Sequence, residues 1–409
     1  MSEAIGIASE GRPLLSIVEL STIEDNPRHG LIFHDQRVLD EACNFACGYC
    51  APSGFPMRID KDGGAHMPPA WRETLSLTPV VNEMLPQEPQ VTDFFALGKT
   101  VISAFKAGAD AKILKLSGGE ITLYPQLVEY VGGVHNDYSA VQILTNGYKL
   151  TPEQIDAFSD MGNIYFQISL DGTTQETNRA RTPNGHITQK VVDNIQRISD
   201  KGMPIEINCV LTRHNTGDFT VILDSLKKVQ DVVVVPRPVR GGGRQLLDFT
   251  PEQCQAFRSV VLDRYDEYES VLPPKPYLER LVTMMETGKR SNRCYVPFFV
   301  QGVDNYGNAE TCSCGGTMPM LGNVLEDADT VFNKHHTASN YDPGEDHDDC
   351  TYCMTQYEIM NLYAEGAISK RDILKLPSFR YGGVLDEADN ITTRLRKQGV
   401  LIVNQNQTN

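Results

Sequence analysis

Short hydrophobic runs alternate with amphipathic stretches of helical periodicity through the middle of the chain. The runs predict strands at residues 38–41, 112–116, 140–145, 164–170, 205–211 and 232–235. The stretches between them predict helices at residues 151–160, 186–200 and 218–229. Strands that alternate with helices form parallel sheets with crossover helices. The pattern therefore indicates an α/β fold in which six strands build a partial (β/α)6 TIM-like barrel, and an open doubly wound sheet remains the alternative.

The flanking segments have different patterns. Prolines recur through residues 51–90, and because repeated proline excludes a long helix, this segment is predicted as a loop insertion. A helix is expected after it, with apolar residues at helical spacing from Phe94 to Phe105. Further helices are predicted at residues 251–270 and 277–289, and a frayed polar tail is expected at the end of the chain.

Composition and charge narrow the classes of function. The chain has 409 residues, and 53 acidic against 37 basic side chains give a formal net charge of −16. An acidic surface repels nucleic acid, so no nucleic-acid partner is expected, and the charge serves solubility or attracts a cationic substrate. No apolar stretch approaches the roughly 20 residues of a membrane helix, and the first residues do not resemble a secretory signal. A cytoplasmic protein without a membrane partner is therefore expected.

Ten cysteines are an excess for such a chain, and three of them follow the first predicted strand. Cys43, Cys47 and Cys50 have the spacing C-x3-C-x2-C. Three thiolates on one short loop can hold three irons of a [4Fe–4S] cube and leave the fourth iron open to a small molecule. Structural zinc prefers four protein ligands, so zinc fits this trio less well, and chance clustering is the other alternative.

The cysteine loop, with the aromatic Tyr49 just before its last cysteine, resembles the signature of radical S-adenosylmethionine (SAM) enzymes. The resemblance implies that Cys43, Cys47 and Cys50 bind a [4Fe–4S] cluster whose open iron is chelated by SAM, and that Tyr49 packs near the adenine. In that family, reduction of the cluster cleaves SAM to methionine and a 5′-deoxyadenosyl radical, which abstracts a hydrogen atom from the substrate. A flavodoxin or ferredoxin is the expected electron donor.

Two glycines and a carboxylate follow the second predicted strand. Gly118 and Gly119 allow the backbone to approach a ligand closely, and Glu120 can pair with an ammonium group. Such a segment is weak evidence alone, but after a strand it is similar to the family segment that binds the amino group of SAM. Ile121 stands where the family usually has proline, which is a small departure.

Further candidates lie at the ends of later strands, where barrel enzymes carry their chemistry. Ser169, Asp171 and Arg181 belong to a stretch similar to the SLDG…R…G pattern of family members with extra clusters. The resemblance makes Ser169 a candidate contact of the SAM ribose or carboxylate, Asp171 a cofactor-binding candidate, and Arg181 a contact of SAM or a part of the strand-end architecture. Asn208, in the fifth strand, faces the same mouth or is an ordinary packing residue.

Five cysteines lie in the last third of the chain. Four of them, Cys294, Cys312, Cys350 and Cys353, could complete a zinc site or a fully ligated [4Fe–4S] cluster, and their spacing alone does not choose. The resemblance favours one auxiliary [4Fe–4S] cluster, because Cys294, Gly307 and Cys312 fit the start of the SPASM and twitch extensions of radical SAM enzymes. The cysteines that continue a full SPASM domain are missing.

Cys314 is the remaining cysteine of this region. It is a candidate catalytic residue, as a hydrogen-atom donor to a substrate radical, and a spare ligand or an inert buried thiol are the alternatives. Its neighbour Ser313 stands where some SPASM enzymes have an aspartate that serves as a base, so that mechanism does not carry over to this chain.

These observations together predict five regions. They are an N-terminal extension at residues 1–34, a core barrel at 35–244, linker helices at 245–290, a small twitch/SPASM-like Fe–S domain at 291–370 and a C-terminal tail at 371–409.

The sequence leaves the reaction that follows hydrogen abstraction open. The first hypothesis is oxidation of a small polar metabolite with help from the auxiliary cluster, and the alternative is a maturase that crosslinks or epimerises a ribosomally synthesised peptide. A non-catalytic Fe–S/SAM sensor is the second alternative, against which the intact Gly-Gly-Glu segment argues.

Overall fold

A central β-sheet organises the residues that the computed structural model describes, which are 29–39, 43–45, 47, 49, 58–59, 65–66, 94–182, 184–239, 248–310, 312, 320–338 and 352–401. Its strands are β1 (His29–Leu39), β4 (Ala109–Gly118), β5 (Ala140–Thr145), β6 (Ile164–Ser169), β7 (Ile205–Leu211), β8 (Val232–Pro238), β9 (Val300–Asp304), β10 (Asn308–Glu310) and β11 (Met320–Asn323). Within the described residues these nine strands lie in the order β11-β10-β9-β1-β4-β5-β6-β7-β8. The short strands β2 (Arg58–Ile59) and β3 (Ala65–His66) form a separate antiparallel pair.

Six neighbouring strands, β1 and β4 to β8, run parallel. The helices between them in the chain are α1 (Phe94–Gly108), α2 (Leu127–Gly132), α3 (Pro152–Met161), α4 (Gly185–Asp200) and α5 (Thr220–Leu226). Helix α3 begins with a capping box in which Thr151 and Gln154 exchange hydrogen bonds. This alternation confirms the predicted α/β fold with parallel strands.

The remaining helices follow the parallel strands in the chain. They are α6 (Pro251–Arg258), α7 (Tyr265–Tyr268), α8 (Lys275–Thr287), α9 (Val324–Ala338), α10 (Glu358–Ala364), α11 (Lys370–Ile373) and α12 (Val384–Lys397). Helix α9 packs on α1, where the rings of Phe332 and Phe105 meet edge to face at 5.1 Å. No helix within the described ranges combines the length and apolar character that crossing a membrane requires.

His34 is a buried polar residue on the side of β1 that faces α1. Its ring stacks on Phe105 with a centroid distance of 3.7 Å, and its Nδ1 lies 2.9 Å from the Tyr138 hydroxyl. Burial, with a smaller contribution from the charge of Lys106, lowers the pKa of His34 from 6.5 to about 3. The neutral imidazole is therefore part of the folded core.

Acidification is expected to destabilise the protein through His34. Because the folded pKa lies below that of the unfolded chain, the unfolded state takes up the proton first. The free energy of unfolding therefore falls as the pH drops from 6.5 towards 3, by up to about 1.4 kcal/mol per pH unit. Urea denaturation of the wild type and of His34→Gln across this range measures the effect. The variant should show the shallower decline, and parallel declines would contradict the prediction.

The sheet continues past the six parallel strands on the β1 side. Strand β9 runs parallel to β1, and β10 and β11 then add antiparallel strands. These residues belong to the region predicted as a separate domain at 291–370, whereas backbone hydrogen bonds join them to the main sheet. Strands β9, β10 and β11 were not predicted from hydrophobic periodicity, because they are short and lie among turn residues.

Two predicted boundaries differ from the structure. Strand β1 begins at His29, inside the predicted extension at 1–34, because the polar residues along β1 interrupt the apolar run that sequence reading relies on. The predicted tail at 371–409 contains α12, whose Ile391 and Leu395 are fully buried. This helix packs on β1, with the Glu387 carboxylate directly beside Gly30. The predicted loop at 51–90 lies outside the described residues, except for β2 and β3.

Candidate functional site

Candidate site residues lie where the parallel strands reach their carboxyl ends. Cys43 follows β1, Glu120 follows β4, Asn146 follows β5 and Asp171 follows β6. Neighbouring parallel strands end at the same edge of a sheet, and that edge is where open α/β sheets bind their ligands. The position of these side chains therefore agrees with a binding site.

The cysteine loop is described in part. Cys43, Cys47 and Tyr49 belong to the described residues, whereas Cys50 lies outside them. The Sγ of Cys43 accepts a hydrogen bond from the backbone N–H of Phe45 at 3.4 Å. Cys43 and Cys47 are both partly exposed residues.

Asp171 is the centre of a buried junction beside this loop. Its Oδ1 accepts hydrogen bonds from Nη2 of Arg181 at 2.9 Å and from the backbone N–H of Val210 at 3.0 Å. Its Oδ2 accepts a hydrogen bond from the Tyr49 hydroxyl. The guanidinium carbon of Arg181 lies 5.5 Å from the centroid of the Tyr49 ring, and its Nη1 lies 3.9 Å from the Sγ of Cys47. One ion pair therefore connects the cysteine loop to the ends of β6 and β7.

Burial and charge set the ionisation of this junction. Burial raises the pKa of Tyr49 well above its usual value, and the charge of Arg181 opposes that rise only in part. Burial alone would lower the pKa of Arg181, but the negative charge of Asp171 leads a set of interactions that raise it well above its usual value. The phenol is therefore neutral and the guanidinium charged at neutral pH. A charged guanidinium therefore lies beside the Sγ of Cys47.

Glu120 forms a second junction, between the ends of β4 and β5. Its Oε1 accepts hydrogen bonds from the Thr122 N–H (3.1 Å), the Thr122 hydroxyl (2.6 Å) and the Thr145 hydroxyl (2.6 Å). Its Oε2 accepts from the N–H of Asn146 at 2.6 Å, and the Asn146 side chain donates to Asn44 in the cysteine loop at 2.8 Å. Each carboxylate oxygen has two lone pairs, so Oε2 of Glu120, which accepts one hydrogen bond from the described residues, retains one acceptor position.

Ser169 and Asn208 are register partners on β6 and β7. Side chains of register partners lie side by side on one face, so these two residues form a polar pair at the same edge. The predicted cofactor-binding residues that the structure brings to this edge are Tyr49, Gly118, Gly119, Glu120, Ser169, Asp171, Arg181 and Asn208.

The late cysteines are also described in part. Cys294, Cys312 and Cys353 belong to the described residues, and Cys350 and Cys314 do not. Burial is the main cause that raises the pKa of Cys294 to about 12, and the charge of Cys353 acts in the same direction. Within the described ranges, no three His, Cys, Asp or Glu side chains lie close enough to hold a metal ion. The auxiliary site therefore stays a prediction.

A buried carboxylate that no sequence motif predicts lies beside these cysteines. Glu358 accepts hydrogen bonds from four side chains, those of Arg280, Arg290, Asn292 and Asn361. Arg290 also donates to the Cys353 carbonyl at 2.9 Å, and Nδ2 of Asn361 lies 3.9 Å from the Sγ of Cys294. No spacing rule would find this set, because its members are scattered along the chain.

A polar face of the sheet was also missed. Nζ of Lys115 lies 3.2 Å from Asp35 and 3.0 Å from the Tyr357 hydroxyl, which itself donates to Asp35 at 3.1 Å. On the same face, Gln167 donates to Glu206. The sequence does contain a sign of this polar face. Lys115 and Glu206 are charged residues that interrupt runs predicted as apolar strands.

Comparison with known proteins agrees with this geometry. Residues 39–226 match the model of the Radical SAM superfamily. PqqA peptide cyclase of Ruegeria pomeroyi is 33% identical over 124 residues, which are 30% of this chain and 33% of that protein. The antilisterial bacteriocin subtilosin biosynthesis protein AlbA of Bacillus subtilis is 26% identical over 254 residues, which are 58% of this chain and 54% of that protein. The chain thus spans about a third to about half of these relatives' lengths.

A solved structure supports the fold. SuiB of Streptococcus suis, bound to S-adenosylmethionine, superposes with a TM-score of 0.52 at 12% identity, over 77% of this chain and 68% of that chain. At this identity the likeness concerns the fold alone. Residues 39–226 are therefore similar in sequence to the Radical SAM superfamily, and the described strands and helices agree with that match.

Proposed function

We propose that this protein is a radical SAM maturase that cleaves SAM reductively and crosslinks or epimerises a ribosomally synthesised peptide. The junction in which Asp171 and Arg181 hold Cys47 and Tyr49 at the carboxyl edge of the sheet carries the proposal. The choice of a peptide is supported by the relatives, a peptide cyclase and a protein of bacteriocin biosynthesis. They favour this alternative over oxidation of a small polar metabolite, which the sequence analysis places first.

The residues present fit the implied cluster. Cys43 and Cys47 are partly exposed cysteines on one loop, Cys50 completes the trio in sequence, and thiolates are the ligands that Fe–S clusters use. When bound, the cluster supplies the electron that splits SAM into methionine and the 5′-deoxyadenosyl radical that takes a hydrogen atom from the substrate. Arg181 stabilises the Cys47 thiolate by its charge, and Asp171 keeps that guanidinium in place.

The other edge residues are proposed to bind and orient SAM. Oε2 of Glu120 retains an acceptor position that suits the SAM ammonium group. Ser169 and Asn208 offer neighbouring polar groups for the ribose or the carboxylate. Tyr49, whose hydroxyl is held by Asp171, presents its ring near the place of the adenine. A site that excludes water protects a reactive carbon radical from side reactions.

We also propose the auxiliary [4Fe–4S] cluster, bound by Cys294, Cys312, Cys350 and Cys353. Contacts around Glu358 support this set, because its partner Arg290 donates to the Cys353 carbonyl and its partner Asn361 lies 3.9 Å from the Sγ of Cys294. Arg290 and Glu358 brace the same region through buried ion pairing. Cys314 remains the proposed hydrogen-atom donor, and a flavodoxin or ferredoxin the proposed electron donor.

The six parallel strands are proposed to curve into a partial barrel with the polar face inside. Tyr357, just before α10, supports this arrangement by reaching Asp35 and Lys115 on that face. The charge of Lys115 on β4 also acts on Glu206 on β7. Three strand spacings separate β4 from β7, about 14 Å in a flat sheet, and curvature would bring the two side chains closer.

Anaerobic reconstitution followed by SAM cleavage tests the function. The protein should take up about eight irons per chain, and dithionite with SAM should yield 5′-deoxyadenosine. Incubation with a short peptide encoded beside its gene should remove two hydrogen atoms from the peptide for a crosslink, or introduce deuterium from D2O for an epimerisation. About four irons with one zinc would contradict the auxiliary cluster. Absence of 5′-deoxyadenosine with the first cluster intact would favour the sensor.

A further inference from the structure

We infer that Gln142 and Glu206 form a recognition site, on the polar face of the sheet, for a side-chain carboxamide of the substrate. The inference rests on the proposed function, because it supposes a peptide substrate that carries asparagine or glutamine near the residue that is modified. None of the residues assigned above to SAM or to a cluster takes part in it.

The strand register places the two residues beneath the cofactor edge. Lys115, Gln142 and Tyr165 are register partners and form one row across β4, β5 and β6. Gln167 and Glu206 are partners in the next row towards the carboxyl ends of the strands. The row of Ser169 and Asn208 follows one step further, about 7 Å above that of Glu206.

Four polar atoms in these two rows have no hydrogen-bond partner among the residues that the structure describes. They are Nε2 and Oε1 of Gln142, the Tyr165 hydroxyl and Oε2 of Glu206. Gln142 is 0% exposed and Glu206 is 1% exposed, so bulk water does not reach either side chain. A buried polar group without a partner is destabilising, and such groups therefore point to a ligand or to ordered water.

Three other polar side chains of these rows and the Tyr357 hydroxyl are already paired. Asp35, Lys115 and the Tyr357 hydroxyl bond to one another, and Gln167 donates to Oε1 of Glu206. The unpaired hydrogen-bonding atoms of these two rows are therefore those of the Gln142 amide, the Tyr165 hydroxyl and one oxygen of Glu206.

The unpaired atoms define the chemistry of the ligand. Nε2 of Gln142 donates through its N–H groups, Oε1 of Gln142 and Oε2 of Glu206 accept, and the Tyr165 hydroxyl can donate. An ammonium group would leave Nε2 of Gln142 unpaired, because it has no acceptor. A carboxylate would leave Oε1 of Gln142 unpaired and would repel Glu206. A primary carboxamide has a carbonyl oxygen that accepts two hydrogen bonds and two N–H groups that donate, so it matches all four atoms.

Binding of three capped amino acids to the reconstituted, SAM-bound protein tests this inference. The probes are the N-acetyl N-methylamides of asparagine, aspartate and leucine, which share a backbone and differ at the side chain. Saturation-transfer NMR titrations should show that the asparagine probe binds at least about tenfold more tightly than the other two, because a site built for hydrogen bonds rejects analogues that lack them.

Two variants locate the effect. Gln142→Leu should lose the preference for asparagine and melt at the same or a higher temperature, because it removes an unpaired buried amide. Gln36→Leu is the matched control, since Gln36 is an equally buried strand glutamine whose Nε2 bonds to Gly98 and Asn305 instead. It should keep the preference.

Equal binding of the three probes would overturn the inference, and so would a Gln142→Leu variant that retains the preference for asparagine. The preference does not require turnover, so 5′-deoxyadenosine formation in the same preparations separates the two proposals. Protein that cleaves SAM without the preference refutes only the carboxamide site. Protein that shows the preference but never cleaves SAM refutes the proposed reaction and leaves the binding site standing.

Discussion

Replacement of Cys47 by alanine is expected to remove the first cluster and to lower 5′-deoxyadenosine formation by more than about a thousandfold, because the chemistry resides in the cofactor. The variant loses one of the three cysteine thiolates of this loop. The lost Sγ is the one that lies 3.9 Å from Nη1 of Arg181. Iron and sulfide analysis should show the loss of about four irons per chain. The electron paramagnetic resonance signal of the SAM-bound cluster should disappear.

Cys254→Ala provides the matched control. Cys254 is a buried cysteine on α6, away from the cysteine loop, and burial raises its pKa, as for an inert thiol. Its variant should keep its iron and its SAM cleavage. A Cys47→Ala protein that retained all its iron and cleaved SAM normally would contradict the assignment of the trio, as would zinc in place of iron in the wild type.

Asp171→Asn is expected to lower the free energy of unfolding by about 3–5 kcal/mol, the usual effect of removing one partner from a buried ion pair. Asp171 is fully buried and Arg181 is 7% exposed at the side chain, so the remaining guanidinium cannot be solvated by water. The Tyr49 hydroxyl also loses a charged acceptor. Anaerobic urea denaturation measures the stability, and a raised KM for SAM should accompany its loss.

The control for this variant is a carboxylate in an exposed ion pair. Asp110 lies 2.7 Å from Lys112 with half of its side chain exposed, so Asp110→Asn should cost at most about 1 kcal/mol. The double variant Asp171→Asn with Arg181→Met should recover part of the stability, because no charge is then left buried, but it should not recover SAM binding. Similar small losses in Asp171→Asn and Asp110→Asn would show that the junction is not an effective ion pair.

Strands were predicted from the sequence where the residues of the strand itself carry the pattern, and were missed where burial depends on distant partners. Strands β4 to β8 are predicted closely, because parallel strands buried on both faces are continuous apolar runs. Strand β1 is predicted only near its end, since His34, Asp35 and Gln36 interrupt its run although all three are buried. Their burial depends on partners such as Tyr138 and Lys115, which no local window contains.

In the candidate site, too, some residues follow from sequence motifs and others appear only in the structure. The positions of Glu120 and Asp171 at strand ends follow from short motifs, and the structure places both at the predicted edge. Their partners do not follow from motifs. Glu120 is held by Thr145 and the backbone of Asn146, and the role of Asn146 as a tie to the cysteine loop appears only in three dimensions.

By itself, the sequence determined that strands alternate with helices and that three cysteines on one loop have a spacing suited to an Fe–S cluster, because both are local patterns of residue type. Only the tertiary structure decided that Tyr49 and Asp171, which are 122 positions apart, share a hydrogen bond beside Arg181. It also decided that Glu358 lies with Arg290 near Cys353, and that α12 packs on β1. Such contacts depend on which surfaces are buried together and which charges are paired there, and residue spacing along the chain carries no record of either.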